Sequence, residues 1–324
     1  MQDKNPARSP FAAADGTESA DLKAWQQAGE WISYDGHKIF THRSEQTPGG
    51  KSPSRGRGKE ALLLLHGFPS ASWDWHRVWP QLSKDYHLLA CDMLGLGFSD
   101  KPVDYNYSIT EQADIHQGWL EQLGIRHVHL LAHDYGSSVA QELMARDQEG
   151  SLPFTIGSVC LLNGALCPEV HRPIMLQRLL LGPLGGLVSR ALTRRVFENN
   201  LCKIFGPDTQ PTRANLEDFW QLLIHNNGQG VIHRLIHYME ERRCHRHRWV
   251  GALQHARQPV RLIWGQADPV SGQAMQARYR ELVPEGDVVP LLRIGHYPHF
   301  EAPALVVRHY QDFRKLIADT AFAT

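Results

Sequence analysis

The chain has 324 residues, of which 42% are apolar, so it can build a packed core and is not a disordered protein. Its 34 basic and 34 acidic residues cancel, which gives no reason to expect nucleic acid or an anionic membrane as a partner. The five cysteines include no C-x-x-C pair, so neither a disulfide framework nor a zinc site is predicted, and the cytoplasm is favoured. No apolar stretch resembles a signal peptide or approaches the ~20 residues that span a bilayer.

The first predicted elements follow a polar N-terminal segment. Residues 1–29 are predicted to be a flexible tail. The stretch "EWISYDGHKIFTHRS" alternates polar and apolar residues around Asp35-Gly36, the pattern of a β-hairpin. The Gly-, Ser- and Pro-rich "EQTPGGKSPSRGRGK" that follows is expected to be an exposed, mobile loop.

Strands and helices then alternate along the chain. "ALLLLHG", "HLLACDM", "HVHLLAHD" and "TIGSVCLLNG" are predicted strands, and helical patterns separate them. "SITEQADIHQGWLEQLG" has the capping-box signature in Ser108 and Glu111, and it ends at Gly124. This alternation predicts a mostly parallel, doubly wound sheet.

The alternation stops between residues 165 and 258, which are helical, rich in Arg and His, and without clear strands. It resumes at "VRLIWGQAD", so residues 259–324 complete the sheet begun by residues 30–164. The sequence therefore predicts a helical cap over residues 165–258, inserted after the sixth strand.

The stretch "LLAHDYGSSVAQEL" reads as a strand, a tight turn and a helix, with Asp134 at the turn. Ala132 and Gly136 flank Asp134 two residues away on each side, as a strained nucleophile turn requires, whereas Ser137 and Ser138 lie outside that register. A carboxylate with a pKa of ~3.9 is charged at neutral pH and can attack an sp³ carbon without a base. The product is an ester that water can cleave, so epoxides and alkyl halides become substrates.

Further motifs at strand ends supply the partners of Asp134. "WGQAD" offers Asp268 and "GHYPHFEAP" offers His296, in the chain order nucleophile, acid, histidine. His296, oriented by Asp268, would take a proton from water and so generate the hydroxide that cleaves the ester. "LHGFP" presents the N–H of Phe68, which with the N–H of Tyr135 would form an oxyanion hole.

Four neighbouring residues have other interpretations. His299 is the rival base, but His296 is favoured because it directly follows the last strand. Asp92 in "CDMLGLGFSD" is interpreted as holding the glycine-rich turn rather than as the triad acid. His133 is expected to be a buried, hydrogen-bonded packing residue, and Glu301 is expected to cap the final helix.

Taken together, these motifs resemble the α/β-hydrolase superfamily, and specifically its branch with an aspartate nucleophile, the epoxide hydrolases and haloalkane dehalogenases. The resemblance covers roughly residues 30–320 and implies the α/β-hydrolase fold with a cap. "NGALCPEVHRPIMLQ", "FGPDTQPT" and "RWVGAL" further resemble the mesoderm-specific transcript subgroup of that superfamily.

The resemblance also suggests how epoxide and halide chemistry differ. Epoxide hydrolases supply a cap tyrosine as the acid for the opening ring, about thirty residues before the triad acid, and Tyr238 lies 268 − 238 = 30 positions before Asp268. Their second cap tyrosine has no counterpart between residues 165 and 236. Dehalogenases of this branch follow the nucleophile with tryptophan, where this chain has Tyr135, and one group has asparagine where it has Phe68.

The sequence thus predicts an epoxide hydrolase that acts on a small apolar substrate without a cofactor or metal. Haloalkane dehalogenation and a non-catalytic binding protein of the same fold remain as alternatives, whereas a serine carboxylesterase is disfavoured because no serine occupies the turn. A cytoplasmic protein without a nucleic-acid or membrane partner is expected, and the oligomeric state stays open.

Overall fold

The computed structural model describes residues 19–44 and 58–323, so the predicted tail up to residue 18 and most of the predicted loop at 45–59 lie outside the described residues. The strands are β1 Glu30–Tyr34, β2 His37–Arg43, β3 Glu60–Leu65, β4 Tyr86–Cys91, β5 His127–His133, β6 Thr155–Leu162, β7 Val260–Gly265 and β8 Asp287–Leu291. They form one eight-stranded sheet in the order β1-β2-β4-β3-β5-β6-β7-β8.

The sheet is parallel except at one edge. β1 pairs with β2, and β2 with β4, in antiparallel fashion, and the other neighbours are parallel. Asp35 and Gly36 turn the β1–β2 hairpin with φ angles of 46° and 80°, which confirms the predicted turn. The central strands β3, β4 and β5 are buried almost throughout, because helices and loops must cover both faces of a parallel sheet.

The helices of the core lie before the cap segment and after it. They are α1 Ala20–Ala28, α2 Trp79–Leu82, α3 Ile109–Gln122 and α4 Tyr135–Glu149, and later α12 Gln273–Leu282, α13 Pro298–Glu301 and α14 Pro303–Ala323. Between β6 and β7 come α5 Met175–Leu181, α6 Gly185–Ala191, α7 Arg194–Ile204, α8 Arg213–Ile224, α9 Ile232–Leu235, α10 Tyr238–Cys244 and α11 Arg246–Gln254. These seven helices occupy the segment that the sequence predicts as the cap. In the described ranges, no helix has the length and apolar character needed to cross a membrane.

Helix α1 corrects the prediction that residues up to 29 form a flexible tail. The Ser19 hydroxyl accepts a hydrogen bond from the Leu22 N–H at 3.1 Å and so caps the helix, and the Ser19 N–H donates to Asp218 on α8 at 2.9 Å. Trp25 is buried and stacks on His42 with ring centroids 3.9 Å apart. The segment is polar overall, so its composition gives no sign that Leu22 and Trp25 are buried in the core.

Helix α3 begins with half of the predicted capping box. The Ser108 hydroxyl accepts a hydrogen bond from the Glu111 N–H at 3.1 Å. The Glu111 carboxylate accepts a hydrogen bond from the Tyr105 hydroxyl rather than returning to Ser108. Gly124, with a φ of 67°, follows the helix end as predicted.

The sheet brings the predicted site motifs together. Leu65 at the end of β3 pairs with Ala132 near the end of β5, and β5, β6 and β7 are successive parallel neighbours. The carboxyl ends of these strands therefore meet at one edge, the usual position of a site in such a sheet. The cap joins the core at the same edge, after β6.

Candidate active site

The turn between β5 and α4 holds Asp134 in a strained backbone conformation, with φ 44° and ψ −107°. A side chain at Gly136 would place its Cβ 2.3 Å from the Leu65 carbonyl oxygen, so α4 can approach β3 only with glycine there. The Gly136 N–H donates to the His66 carbonyl at 2.9 Å. This close approach is the physical reason for the small residue that the sequence pattern required two positions after Asp134.

The loop after β3 places a backbone donor at the Asp134 carboxylate. The Phe68 N–H donates to Asp134 Oδ2 at 3.0 Å. His66 anchors the loop, because its Nε2 accepts a hydrogen bond from the Met93 N–H at 2.9 Å. The N–H of Tyr135, the second predicted donor, makes no hydrogen bond to this carboxylate in the described structure, so its role in an oxyanion hole stays a prediction.

The predicted acid and histidine lie in direct contact. His296 Nδ1 is 2.8 Å from Asp268 Oδ2, so Nδ1 carries the proton of this hydrogen bond and Nε2 faces away from the acid. Asp268 also accepts hydrogen bonds from the Val270 N–H at 2.8 Å, the Ser271 hydroxyl and the Asn163 amide at 3.0 Å. These donors fix the carboxylate that orients the imidazole.

Glu301 fixes the loop that carries His296, which corrects its predicted role as a cap of the final helix. Its carboxylate accepts hydrogen bonds from the N–H groups of Gly295 and Tyr297, both at 2.9 Å, and from the Gly206 N–H in the cap at 2.8 Å. Glu301 therefore links the loop that carries His296 to the cap. The position of Glu301 in the sequence suggested a role at the adjacent helix and gave no sign of its contact with Gly206, which is 95 positions away.

The charges of the site favour an ion pair. Burial by itself raises the pKa of Asp134, but the charges of His296 and Arg242 and the Phe68 N–H outweigh it and hold the pKa below its ordinary value. Burial lowers the pKa of His296, but Asp268 and Asp134 outweigh it and raise the pKa to about 9. Burial raises the pKa of Asp268, but the charge and hydrogen bond of His296 bring it down to about 2. At neutral pH the free site therefore holds a charged imidazolium between two carboxylates.

Arg242, which was not predicted from the sequence, is a buried cation beside Asp134. It lies on cap helix α10, is 2% exposed, and places Nη2 3.7 Å from Asp134 Oδ1. The same nitrogen donates to the Asp134 carbonyl at 3.1 Å, and Nε donates to the Ser138 hydroxyl at 2.7 Å. Arg242 lies four residues after Tyr238, so both side chains project from one face of α10. That spacing was the signal available in the sequence.

Tyr238, the predicted ring-opening acid, packs on two aromatic residues beside Asp134. Its ring centroid lies 5.5 Å from that of Phe68 and 4.9 Å from that of Tyr135, and the Arg242 guanidinium lies 4.4 Å from its ring centre. Burial and the charge of Asp134 raise the pKa of Tyr238, so the phenol keeps its proton at neutral pH. This is the protonation state that an acid needs.

A cavity between core and cap contains both Asp134 and His296, whereas Asp268 and Tyr238 are not among its lining side chains. Two uncharged polar side chains, Gln177 and Asn200, also line it. The remaining lining residues are apolar: Phe68, Pro69, Ile174, Leu176, Leu180, Leu192, Phe197, Leu201, Ile204, Leu223, Ile232 and Val270. The arrangement places a charged carboxylate and a histidine in the wall of a mostly apolar cavity.

The neighbouring residues with other interpretations lie outside this cavity. His133 is buried, and its Nε2 is hydrogen-bonded to the His296 carbonyl at 2.8 Å, which confirms its packing role. Asp92 accepts hydrogen bonds from the Ser72 and Phe98 N–H groups, both at 2.7 Å, and so holds the glycine-rich turn as predicted. The ring of His299 packs on Trp75 with centroids 4.2 Å apart, and His299 does not line the cavity.

Comparisons with known proteins agree with the fold. A sequence model of the alpha/beta hydrolase family matches residues 62–309. The mesoderm-specific transcript protein of Mus musculus is 41% identical over 305 residues, which cover 91% of this chain and 88% of that protein. Putative hydrolase LipZ of Mycobacterium tuberculosis is 35% identical over 285 residues, covering 88% of this chain and 95% of that protein. A haloalkane dehalogenase loop variant from Bradyrhizobium elkanii superposes with a TM-score of 0.72 at 19% identity, covering 91% of this chain and 98% of that structure. The predicted superfamily and fold are confirmed, and this chain belongs to the alpha/beta hydrolase family.

Proposed function

We propose that the protein is a hydrolase in which Asp134 attacks the substrate and forms a covalent alkyl ester, and that it converts an epoxide and water to a diol. One observation supports this proposal above all. A carboxylate rather than a hydroxyl occupies the strained turn, and it shares an apolar cavity with His296. The reaction needs no cofactor or metal, and the predicted cytoplasmic location remains part of the proposal.

The first step joins the substrate to Asp134. Oδ2 is held by the Phe68 N–H, so Oδ1 attacks an epoxide carbon, and the ring C–O bond breaks. The alkoxide that leaves takes the phenol proton of Tyr238, which is then restored from the imidazolium of His296. The Asp134 carboxylate becomes a neutral ester, and the His296 imidazolium becomes a neutral imidazole. The ion pair is thus replaced by two neutral groups, and the net charge of the site does not change.

The second step releases the diol. Ester formation removes the Asp134 charge, which is one cause of the raised pKa of His296, so the pKa falls and the neutral imidazole is stabilised as a base. It takes a proton from water, and the hydroxide adds to the ester carbonyl carbon, where the Phe68 N–H stabilises the oxyanion. The bond between the carbonyl carbon of Asp134 and the ester oxygen then breaks, and the leaving alkoxide takes the remaining proton of the added hydroxyl, which releases the diol. Asp134 regains its negative charge while His296 carries the proton.

The neighbouring serines support a carboxylate rather than a hydroxyl nucleophile. The hydroxyl of Ser137 donates to the Leu162 carbonyl at 3.3 Å, and that of Ser138 accepts from Arg242. Both serines are fully buried, and neither lines the cavity. A non-catalytic binding protein would have no need to bury a charged carboxylate beside a positioned imidazole, since burial of charge is costly.

Mass spectrometry of His296→Gln tests the covalent mechanism. The variant should form the Asp134 ester but not hydrolyse it, so mixing with an epoxide such as styrene oxide should add one substrate mass to the intact protein. Peptide mapping should place the added mass on Asp134, and His299→Gln, altered at a buried histidine outside the cavity, should turn over without accumulating the adduct. A folded His296→Gln that shows no adduct on a substrate of the wild type would refute the aspartyl ester.

Halide displacement is the second candidate, because Gln177 and Asn200 place two amide side chains in the apolar cavity. Amide N–H groups can stabilise a leaving halide. The Gln177 oxygen accepts from the Ile174 N–H, and the Gln177 side chain also hydrogen-bonds the Tyr238 phenol, while the Asn200 nitrogen donates to the Val196 carbonyl at 2.7 Å. Each side-chain NH₂ group carries two hydrogens, so one N–H of each amide can be directed at a halide. Halide release from 1-bromobutane should be measured beside diol formation from styrene oxide. Faster halide release would replace the epoxide assignment and leave the Asp134 mechanism intact.

A further inference from the structure

The cap exposes several large apolar side chains within a short stretch of its sequence. Of the ten large apolar side chains that are exposed in the described part of the chain, five belong to α5, α6, the residue before α6, and the first turn of α7. They are Met175 (65% exposed), Leu179 (50%), Leu184 (64%), Leu187 (62%) and Val196 (44%). We call these five residues the cap apolar patch.

The patch follows from helical spacing. Met175 and Leu179 are four residues apart on α5, and Leu184 and Leu187 are three apart at the start of α6, so each pair shares one helix face. Helices α5 and α6 pack against each other. Exposed large apolar side chains grouped on neighbouring helices mark a site of interaction.

Charge is segregated on the same segment. Residues 170–197 contain five arginines and no aspartate or glutamate, within a chain whose formal net charge is zero. Arg172, Arg178 and Arg190 are exposed and form no ion pair with any residue that the structure describes. Arg194 pairs with acidic residues outside the segment. Exposed, unpaired arginine side chains therefore lie in the same segment as the cap apolar patch.

The opposite face of α5 lines the cavity. Ile174, which precedes α5, and Leu176 and Leu180 of α5 line the chamber with Asp134, whereas Met175 and Leu179 face outward. Only the thickness of the cap helices, roughly 10 Å, separates the outer patch from the cavity. An apolar compound that passed between the cap helices at this surface would enter the cavity that holds Asp134.

Apolar side chains flanked by arginines match one partner best. An interfacial helix of a membrane-bound protein buries an apolar face at the level of the acyl chains and directs Lys or Arg to anionic headgroups. A second copy of this chain fits less well, because a symmetric contact between two such surfaces would bring their arginines together.

We propose that the cap apolar patch docks on a membrane that contains anionic lipid, and that the apolar substrate reaches the cavity from that membrane. The docking itself is independent of the catalytic reaction. The delivery of substrate rests on the proposed function, so the two parts need separate measurements. The net charge of the whole chain gave no sign of this surface, because the arginines of residues 170–197 are balanced by acidic residues elsewhere in the chain.

Docking is tested by flotation of the full chain with vesicles, without substrate. The wild type should bind vesicles of phosphatidylcholine with phosphatidylserine, bind weakly to phosphatidylcholine alone, and lose affinity as salt is added. Leu184→Glu with Leu187→Glu should abolish binding. The matched control is Leu316→Glu, because Leu316 is 56% exposed on α14 of the core. Equal binding of the wild type and the double variant would overturn the proposal.

The arginines need their own variant. Each basic residue near an anionic surface contributes about fivefold in affinity, so Arg178→Gln with Arg190→Gln should weaken binding to the phosphatidylserine vesicles by roughly 25-fold. Arg308→Gln, which removes an exposed arginine of α14, should leave binding unchanged. All these side chains are exposed, so thermal unfolding of the variants should match that of the wild type. A wild type that binds no vesicles but forms dimers that Leu184→Glu disrupts would assign the patch to a second copy and overturn the proposal.

Substrate delivery is tested last. The Leu184→Glu, Leu187→Glu variant should hydrolyse a water-soluble epoxide at the wild-type rate and lose most of its rate on a long-chain epoxide held in phosphatidylserine vesicles. An equal loss on both epoxides would refute delivery from the membrane. If vesicle binding is found but neither epoxide is hydrolysed by the wild type, the proposed reaction fails while docking stands.

Discussion

Replacement of Gly136 by alanine should destabilise the protein, because this glycine sets the distance between α4 and β3. The added Cβ would lie 2.3 Å from the Leu65 carbonyl oxygen, 2.6 Å from its carbonyl carbon and 2.7 Å from the His66 carbonyl oxygen. These backbone atoms belong to the last residue of β3, a central strand paired with β4 and β5, and to the residue that follows it, so they cannot move aside as a flexible side chain can. Overpacking of this kind costs about 1–3 kcal/mol, and the contact with fixed backbone argues for the upper end.

Gly251→Ala is the matched control, since Gly251 lies inside α11 and a Cβ there would meet nothing within 4 Å. It should stabilise the protein by about 1 kcal/mol through helix propensity alone. Urea unfolding of both variants should therefore show shifts of opposite sign. Turnover adds a second measurement, because a displacement of about 1 Å at the reacting groups can cost roughly 10²-fold in rate. A Gly136→Ala protein as stable and active as the wild type would contradict the close approach of α4 to β3.

Three further predictions concern the charged groups and the phenol. Tyr238→Phe should slow epoxide opening by roughly 10²–10⁴, whereas Tyr279→Phe, at another buried tyrosine, should not; equal rates for both would remove Tyr238 from the reaction. Because the pKa of His296 rises from 6.5 to about 9 on folding, its charge adds on the order of 3 kcal/mol of stability below about pH 6.5, which is lost as pH rises through 9. Urea unfolding of the wild type and His296→Gln across this range should converge with rising pH, and parallel curves would contradict the ion pair. Arg242→Gln should raise the pKa of Asp134 and move the acid limb of ester formation to higher pH, whereas Arg242→Lys should move it less; an unmoved limb in Arg242→Gln would show that this charge does not act on the nucleophile.

The sequence by itself determined the turn at Asp134 and the order of the groups around it. A strand-to-helix turn is local, so its requirement for small side chains appears within two residues of Asp134, at Ala132 and Gly136. The strands of a parallel sheet all end at the same edge, so Asp268 and His296 could be brought to Asp134 from their positions at strand ends. The structure indeed gives a separation of 2.8 Å between the imidazole and the acid.

Tertiary structure alone decided which distant side chains meet these groups. Arg242 contacts Ser138 across 104 residues and Glu301 contacts Gly206 across 95, and no periodicity specifies such pairs, because a cap can fold over a sheet in many orientations. Helix α1 likewise depends on tertiary contacts, because its sequence is mostly polar and the helix is held to the core by the buried side chain of Trp25. The apolar residues of the cap show most clearly what the sequence does not determine. Helical spacing separates two faces of α5, but only packing decides that Leu180 faces the cavity while Leu179 faces solvent.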